Sequence, residues 1–266
     1  MNEQPISDEQ AAWKSQWEHY LPELDVERRL LEGWLSPMKL AELKGLDVLD
    51  VGCGNGSHTA ILASAGAKHV KGVDYASWRA AEGRFAHLGN VDFGFYDMMS
   101  GAPEGTYDLV TCVGVLPHVP DPRTGVLNMA KAVRPGGRLV IWATVREGNT
   151  VLMIFDTVKS VLTKPGGPPA MHLAAKAIAL STRPWQLVAA RSSLGRQALP
   201  YGQYLAGLAA LPIDRVQQNF YDALNAPRRV LFHADEVTSW MRSAGLETEI
   251  HMREDGKSRT WIGRRP

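Results

Sequence analysis

Short apolar runs alternate with stretches of helical period through the first half of the chain. From Asp8 to Leu35, Trp13, Trp17, Tyr20 and Leu21 recur at three- and four-residue spacing. That spacing predicts a helix, capped by Ser7 or Asp8 and split in two by Pro22. Asp47 to Val51 is then a short apolar strand ending in Gly52-Cys53-Gly54-Asn55-Gly56, with a helix following through Ala65. Val70 to Val73, Val91 to Tyr96, Tyr107 to Val115 and Arg138 to Thr144 predict four more strands. Helices over Ala76 to Ala86 and Thr124 to Val133 separate them, the second stopping at Pro135-Gly136-Gly137. Strands that alternate with helices in this way demand a mostly parallel sheet with helices on both faces, because parallel neighbours need a long crossover.

The alternation breaks at Val145. From Arg146 to about Leu231 several helical stretches are punctuated by Lys164-Pro165-Gly166-Gly167-Pro168-Pro169, by Arg183-Pro184 and by Leu211-Pro212. Such a segment reads as a helical lid inserted into the α/β fold. It leaves the fifth strand at its carboxyl end, so the expectation is that it covers an acceptor pocket there. Asp235 to Ala244 is an amphipathic helix stopped by Gly245, and Glu247 to Met252 with Arg259 to Gly263 predict a hairpin around Asp255-Gly256. The organisation expected is therefore a helical cap over 1–40, an α/β core over 41–145, a helical insertion over 146–231 and a return of the core over 232–266.

Charge narrows the choice of partner. Twenty-nine basic and 28 acidic side chains leave a formal net charge of +1, so no overall basic excess exists to grip a phosphate backbone. The two cysteines, Cys53 and Cys112, are too few for a disulfide scaffold or a structural zinc site. The first ten residues lack the apolar stretch of a signal peptide, and no run has the length of a membrane span. These features lead to the expectation of a cytoplasmic protein with a small-molecule substrate, no nucleic acid, no metal and a homodimer as one possible assembly.

The chemistry concentrates at the strand ends. Glycines 52, 54 and 56 at a strand-to-helix turn let the backbone pass close to a nucleotide-like ligand. Asp50, just before them, would repel a pyrophosphate and attract an ammonium group. Asp74, 18 residues after Gly56, ends the second strand, where a carboxylate accepts hydrogen bonds from both ribose hydroxyls. Asp97 closes the third strand, placed to accept from an adenine amino group while Met98 covers the ring. Cys53, Tyr75 and Val113 complete the candidate cofactor set. His118, just past the fourth strand, is the candidate general base, since a neutral imidazole takes a proton near physiological pH. His19, His172 and His233 are further histidines of the presumed lid and flanks. Trp13, Trp17 and Tyr20 are candidates for a roof, and arginines 183, 191, 196, 215, 228 and 229 for holding an anionic acceptor.

The segments LDVGCGNG, GVDYA, YDLVTCVGVLPHVPDP and KAVRPGGRLVI together resemble the class I S-adenosylmethionine-dependent methyltransferases, in particular the small-molecule branch of ubiquinone and menaquinone methyltransferases. The match runs from about Gly45 to Val145 and resumes from His233 to Gly263. The resemblance implies a Rossmann-like sheet of seven strands, mostly parallel with the last antiparallel, and S-adenosylmethionine as cofactor. It also implies that Gly52, Gly54 and Gly56 form the cofactor loop, with Asp50 at the methionine end, Asp74 at the ribose, and Asp97 and Met98 at the adenine. The Asn/Asp-Pro-Pro-Tyr segment of enzymes that methylate amino groups of nucleic acids and glutamine is replaced by Thr111-Cys112-Val113-Gly114, which favours small molecules. The function expected is methyl transfer to a hydroxyl or amine of a metabolite. The alternatives are C-methylation of a lipophilic quinone-type ring, a non-catalytic cofactor-binding protein, and a nicotinamide-dependent oxidoreductase, which Asp50 and Asp97 disfavour.

Overall fold

The computed structural model describes residues 7–19, 23–150, 153, 167–199, 201–226, 229–253 and 256–266. Tyr20, Pro22, Lys164 to Gly166, Arg228 and Asp255, all invoked above, lie outside them. The chain forms two compact units, one of residues 1–149 with 227–266 and one of residues 150–226.

The first unit is built on a sheet of seven strands: β1 (Asp47–Val51), β2 (His69–Asp74), β3 (Val91–Phe95), β4 (Tyr107–Val113), β5 (Val133–Thr144), β6 (Glu247–Met252) and β7 (Ser258–Arg264). Their order is β3-β2-β1-β4-β5-β7-β6. All neighbours are parallel except that β7 runs antiparallel to both β5 and β6. The last strand is antiparallel, as the resemblance implied, and slots between β5 and β6. The chain order reverses between β1 and β4, and that topological switch point is where open α/β sheets hold ligands.

Alternation along the strands divides the core. Leu49, Val51, Val110, Cys112 and Trp261 face α5 (Pro122–Lys131) and α10 (Ala234–Ser243), whose Val126, Met129, Val237 and Met241 are buried against them. Val48, Leu109, Val140 and Ile262 point the other way, toward Leu31 and Leu35 of α2 (Leu24–Leu35) and Ile61 and Leu62 of α3 (Ser57–Ser64). A strand apolar on both sides is what burial between two helical layers requires. Two further helices complete the unit: α1 (Asp8–His19) and α4 (Trp78–Phe85). The helix after β4 begins at Pro122 rather than Thr124, because Asp121 caps it by accepting from the amides of Arg123 and Thr124. The Pro135-Gly136-Gly137 stop also differs from expectation. Tyr107 already pairs with Val133, so these residues bulge within β5 and the ladder resumes at Leu109 and Arg138.

Among the described residues of the second unit four helices follow one another: α6 (Gly167–Arg191), α7 (Ser193–Ala198), α8 (Gly202–Ala209) and α9 (Ile213–Asn225). Helical content is as the sequence predicts there. The break expected at Arg183-Pro184 is absent, and α6 runs through Pro184. Thr182 Oγ1 donates to Ile178 O at 2.7 Å in the turn before the proline. Ala179, Leu208 and Val216 bury one small cluster, and Ala175, Tyr221 and Leu224 another. No described helix is long and apolar enough to cross a membrane.

Candidate functional site

The loop after β1 owes its shape to three residues in the left-handed region, Gly52 (φ 76°), Gly54 (φ 53°) and Gly56 (φ 86°). The amides of Gly52 and Cys53 both donate to Val73 O, at 2.7 and 3.1 Å, which folds the loop over the end of β2. A side chain at Gly52 would start 2.3 Å from Val115, and one at Gly56 would start 2.8 Å from Ala81. Side chains are thus excluded by backbone conformation and by space together. Asn55, buried, accepts from Ser57 N and Oγ at 3.0 and 2.7 Å and so starts α3.

Asp74 fastens this loop to the neighbouring strand. Its Oδ2 accepts from Gly54 N at 3.2 Å, while its Oδ1 accepts from Ala76 N and Ser77 N at 2.8 Å each. The carboxylate thus ties the glycine loop, the end of β2 and the approach to α4 into one piece. Burial pushes its pKa up, against the pull of the three amides, and the charge of Asp50 adds to the rise.

Asp50 sits beneath the loop, 2% exposed. Thr59 Oγ1 donates to its Oδ2 at 2.8 Å and Thr111 Oγ1 to its Oδ1 at 3.0 Å. Both hydroxyls hold the charged form, yet burial dominates and raises the pKa. Both oxygens of Asp50 are thus engaged by α3 and β4. The two threonines were not singled out in the sequence, because a hydroxyl nine residues after an aspartate carries no local signal.

The remaining candidates divide. Asp97 lies just past β3, its Oδ1 accepting from Met99 N at 2.9 Å. The Met98 side chain is buried in the core, and its carbonyl accepts from Asn128 Nδ2 at 2.9 Å. Tyr75 is half-buried after Asp74, and Val113 is buried at the end of β4. Cys53 is buried within the loop, and burial with the charges of Asp74 and Asp50 pushes its thiol well above the usual range. Cys112 is pushed up to about 12 by burial. Neither thiol is therefore a nucleophile at neutral pH.

One helix spans these loops. On α1, Gln10 Nε2 donates to Tyr75 O at 3.2 Å, Trp13 meets the His118 ring edge-on at 4.9 Å, and the Trp17 indole stands 3.1 Å from where a Gly54 side chain would start. Residues 10, 13 and 17 share a helical face, so one face reaches the loops after β2, β4 and β1. Arg84 of α4 donates to Trp17 O at 3.0 Å and holds the far end. Trp13 and Trp17 thus occupy the place proposed for a roof. His118 itself lies in a short turn over Leu116–His118. His233 sits elsewhere, 3.1 Å from Glu147, and His172 stacks on Tyr221 within the second unit. The His19 side chain lies outside what is described. Among the described residues no cluster of three or more His, Cys, Asp or Glu could hold a metal ion.

Comparison with known proteins identifies the family and the fold. Residues 18–167 match a family model described as a methyltransferase domain. A ubiquinone biosynthesis O-methyltransferase of Aromatoleum aromaticum is 36% identical over 124 residues, covering 42% of this chain and 52% of the relative. One from Erwinia tasmaniensis is 38% identical over 125 residues, covering 45% and 51%. The chain spans about half the length of the curated relatives it matches. Among solved structures, a DhpI complex with SAH superposes with a TM-score of 0.56 at 16% identity, over 97% of this chain and 95% of that one. The N-methyltransferase NodS of Bradyrhizobium japonicum with S-adenosyl-L-homocysteine gives 0.53 at 15% identity, over 98% and 100%. At such identities these two establish the fold.

The buried Asp50 network makes a stability prediction. Thr59→Val keeps the shape of the side chain but removes a donor from a fully buried carboxylate, which costs about 1–3 kcal/mol. Thr59→Ser, which keeps the hydroxyl, should recover most of that loss. Urea denaturation of the full chain reads the difference. Equal stability of the Val and Ser variants would show that Asp50 does not depend on this bond.

Proposed function

This chain belongs to the methyltransferase-domain family, and from that premise we propose that it moves the methyl group of S-adenosylmethionine to a hydroxyl or amine of a small-molecule acceptor. The observation that carries the proposal is the clasp of Asp74 on Gly54 beside the β1/β4 switch point, under α1. The residues present fit the cofactor. A strand-to-helix loop of left-handed glycines presents bare backbone at the sheet's carboxyl edge, and a buried carboxylate at the adjacent strand end offers further acceptor capacity.

In this reading the glycine loop would hold the methionine end, Asp74 the ribose and Asp97 the adenine. Asp50, through Thr59 and Thr111, keeps the loop in register and places a negative charge beneath it. When bound, the cofactor supplies a methyl carbon made electrophilic by its sulfonium. The chain's part is to align an acceptor lone pair, exclude water and accept a proton. Trp13 and Trp17 cover the loops and shed water from them. His118, against Trp13, would take the proton of the acceptor at a ring nitrogen. A hydroxyl acceptor is favoured over an amine because the relatives matched are named O-methyltransferases.

Asp74→Ala removes the acceptor for two hydroxyls and releases Gly54, so calorimetry should show affinity for S-adenosylmethionine weakened by at least about tenfold. Since burial raises the Asp74 pKa, the wild-type affinity should begin to fall at a higher pH than an exposed aspartate would allow, as acid neutralises the carboxylate. Asp74→Asn should lack that component. Unchanged affinity in a folded Asp74→Ala protein would remove Asp74 from the site.

A second test uses a labelled methyl donor and a panel of phenols, catechols and amines. His118→Gln should lower kcat on an accepted substrate by about 10²–10⁴-fold while leaving cofactor affinity intact. Full turnover by that variant would show that no base is needed at this position, and transfer to none of the panel would refute the proposed acceptor class.

A further inference from the structure

The second unit exposes more apolar surface than its own packing explains. Leu173, Leu180, Trp185, Val188 and Leu194 are each about half or more exposed, from 49% to 74%. Four of them lie on α6. Its opposite face is fully used, with Ala175, Ala179, Gln186 and Ala189 at 0% exposure. At 100° per residue Leu173, Leu180, Pro184 and Val188 fall on one stripe, about 22 Å long at 1.5 Å per residue. Trp185 stands on one shoulder of the stripe, exposed Lys176 on the other, and exposed Arg191 at its carboxyl end.

Charge along this stretch is one-signed. Between Asp156 and Asp214 the sequence holds Lys159, Lys164, Lys176, Arg183, Arg191 and Arg196 and no Asp or Glu, in a chain whose overall net charge is +1. A second copy of the chain on this face would bring like charges together across a two-fold contact, which opposes dimerisation here. A helix with an apolar stripe, basic shoulders and a tryptophan at the edge fits an anionic lipid surface. The apolar side chains enter the acyl boundary, the indole sits at the headgroup level, and the cations meet lipid phosphates. Three basic residues within α6, Lys176, Arg183 and Arg191, suit a helix that lies along a membrane rather than crossing it.

We propose that α6 docks this protein on anionic lipid bilayers through the stripe of Leu173, Leu180, Pro184 and Val188, with Lys176 and Arg191 on the headgroups. Docking is peripheral and weakened by salt, since part of the attraction is electrostatic.

Co-sedimentation of the full chain with vesicles tests this directly. One set is phosphatidylcholine, the other phosphatidylcholine with about one-third phosphatidylglycerol, a headgroup charge that basic residues sense. Wild-type protein should sediment with the anionic vesicles, not with the neutral ones, and raised salt should release it. Lys176→Glu with Arg191→Glu should weaken binding by at least about tenfold, and Leu180→Glu with Val188→Glu should abolish it. All four positions are exposed, so circular dichroism should show helix content unchanged. Wild-type protein that ignores anionic vesicles overturns the proposal, as does binding that both double variants retain. A wild-type dimer that Leu180→Glu with Val188→Glu dissociates, with no vesicle binding, would assign the stripe to a second copy instead.

Discussion

A single carboxylate sets the geometry on which the rest of the site depends. Asp74 accepts from three backbone amides that belong to two separate loops, Gly54 on one side and Ala76 and Ser77 on the other. Those amides have no partner in the sheet, because each lies past the end of its strand. Without the carboxylate they would need water, and the loop would be held to β2 only through the Gly52 and Cys53 amides on Val73 O. The same burial that makes the clasp specific also raises the pKa of Asp74 and of its neighbour Asp50. Two like charges are held close together near the switch point, and hydroxyls and amides are what keep them there.

Around that constraint the elements take complementary parts. The sheet supplies adjacent loop ends at β1, β2 and β4. The threonines of α3 and β4 secure the floor at Asp50. Helix α1 crosses above, touching Tyr75, His118 and Gly54 from a single face. In the proposed reaction water exclusion and proton acceptance would fall to neighbouring groups, since Trp13 touches the His118 ring.

Much of this was legible in the chain. Strand and helix positions followed from alternation, and seven strands with an antiparallel last strand followed from the resemblance carried by LDVGCGNG and KAVRPGGRLVI. What escaped was long-range. The partners of Asp50 lie nine and 61 residues away, and only the fold brings them together. Pro184 read as a break because proline lacks an amide donor, but α6 continues through it. Trp13 and Trp17 were candidates for a roof from their spacing, but the loops they meet, at His118 and at Gly54, are set by the sheet.

Hydrogen exchange of the full chain with and without S-adenosylhomocysteine tests the central claim most directly. If the clasp between Asp74 and Gly54 under α1 is the cofactor site, added ligand should slow exchange in the loop over Gly52 to Gly56, in the segment from Asp74 to Ser77 and in α1 together. Ligand that binds while protecting other segments, or that leaves these three unchanged, would contradict the account.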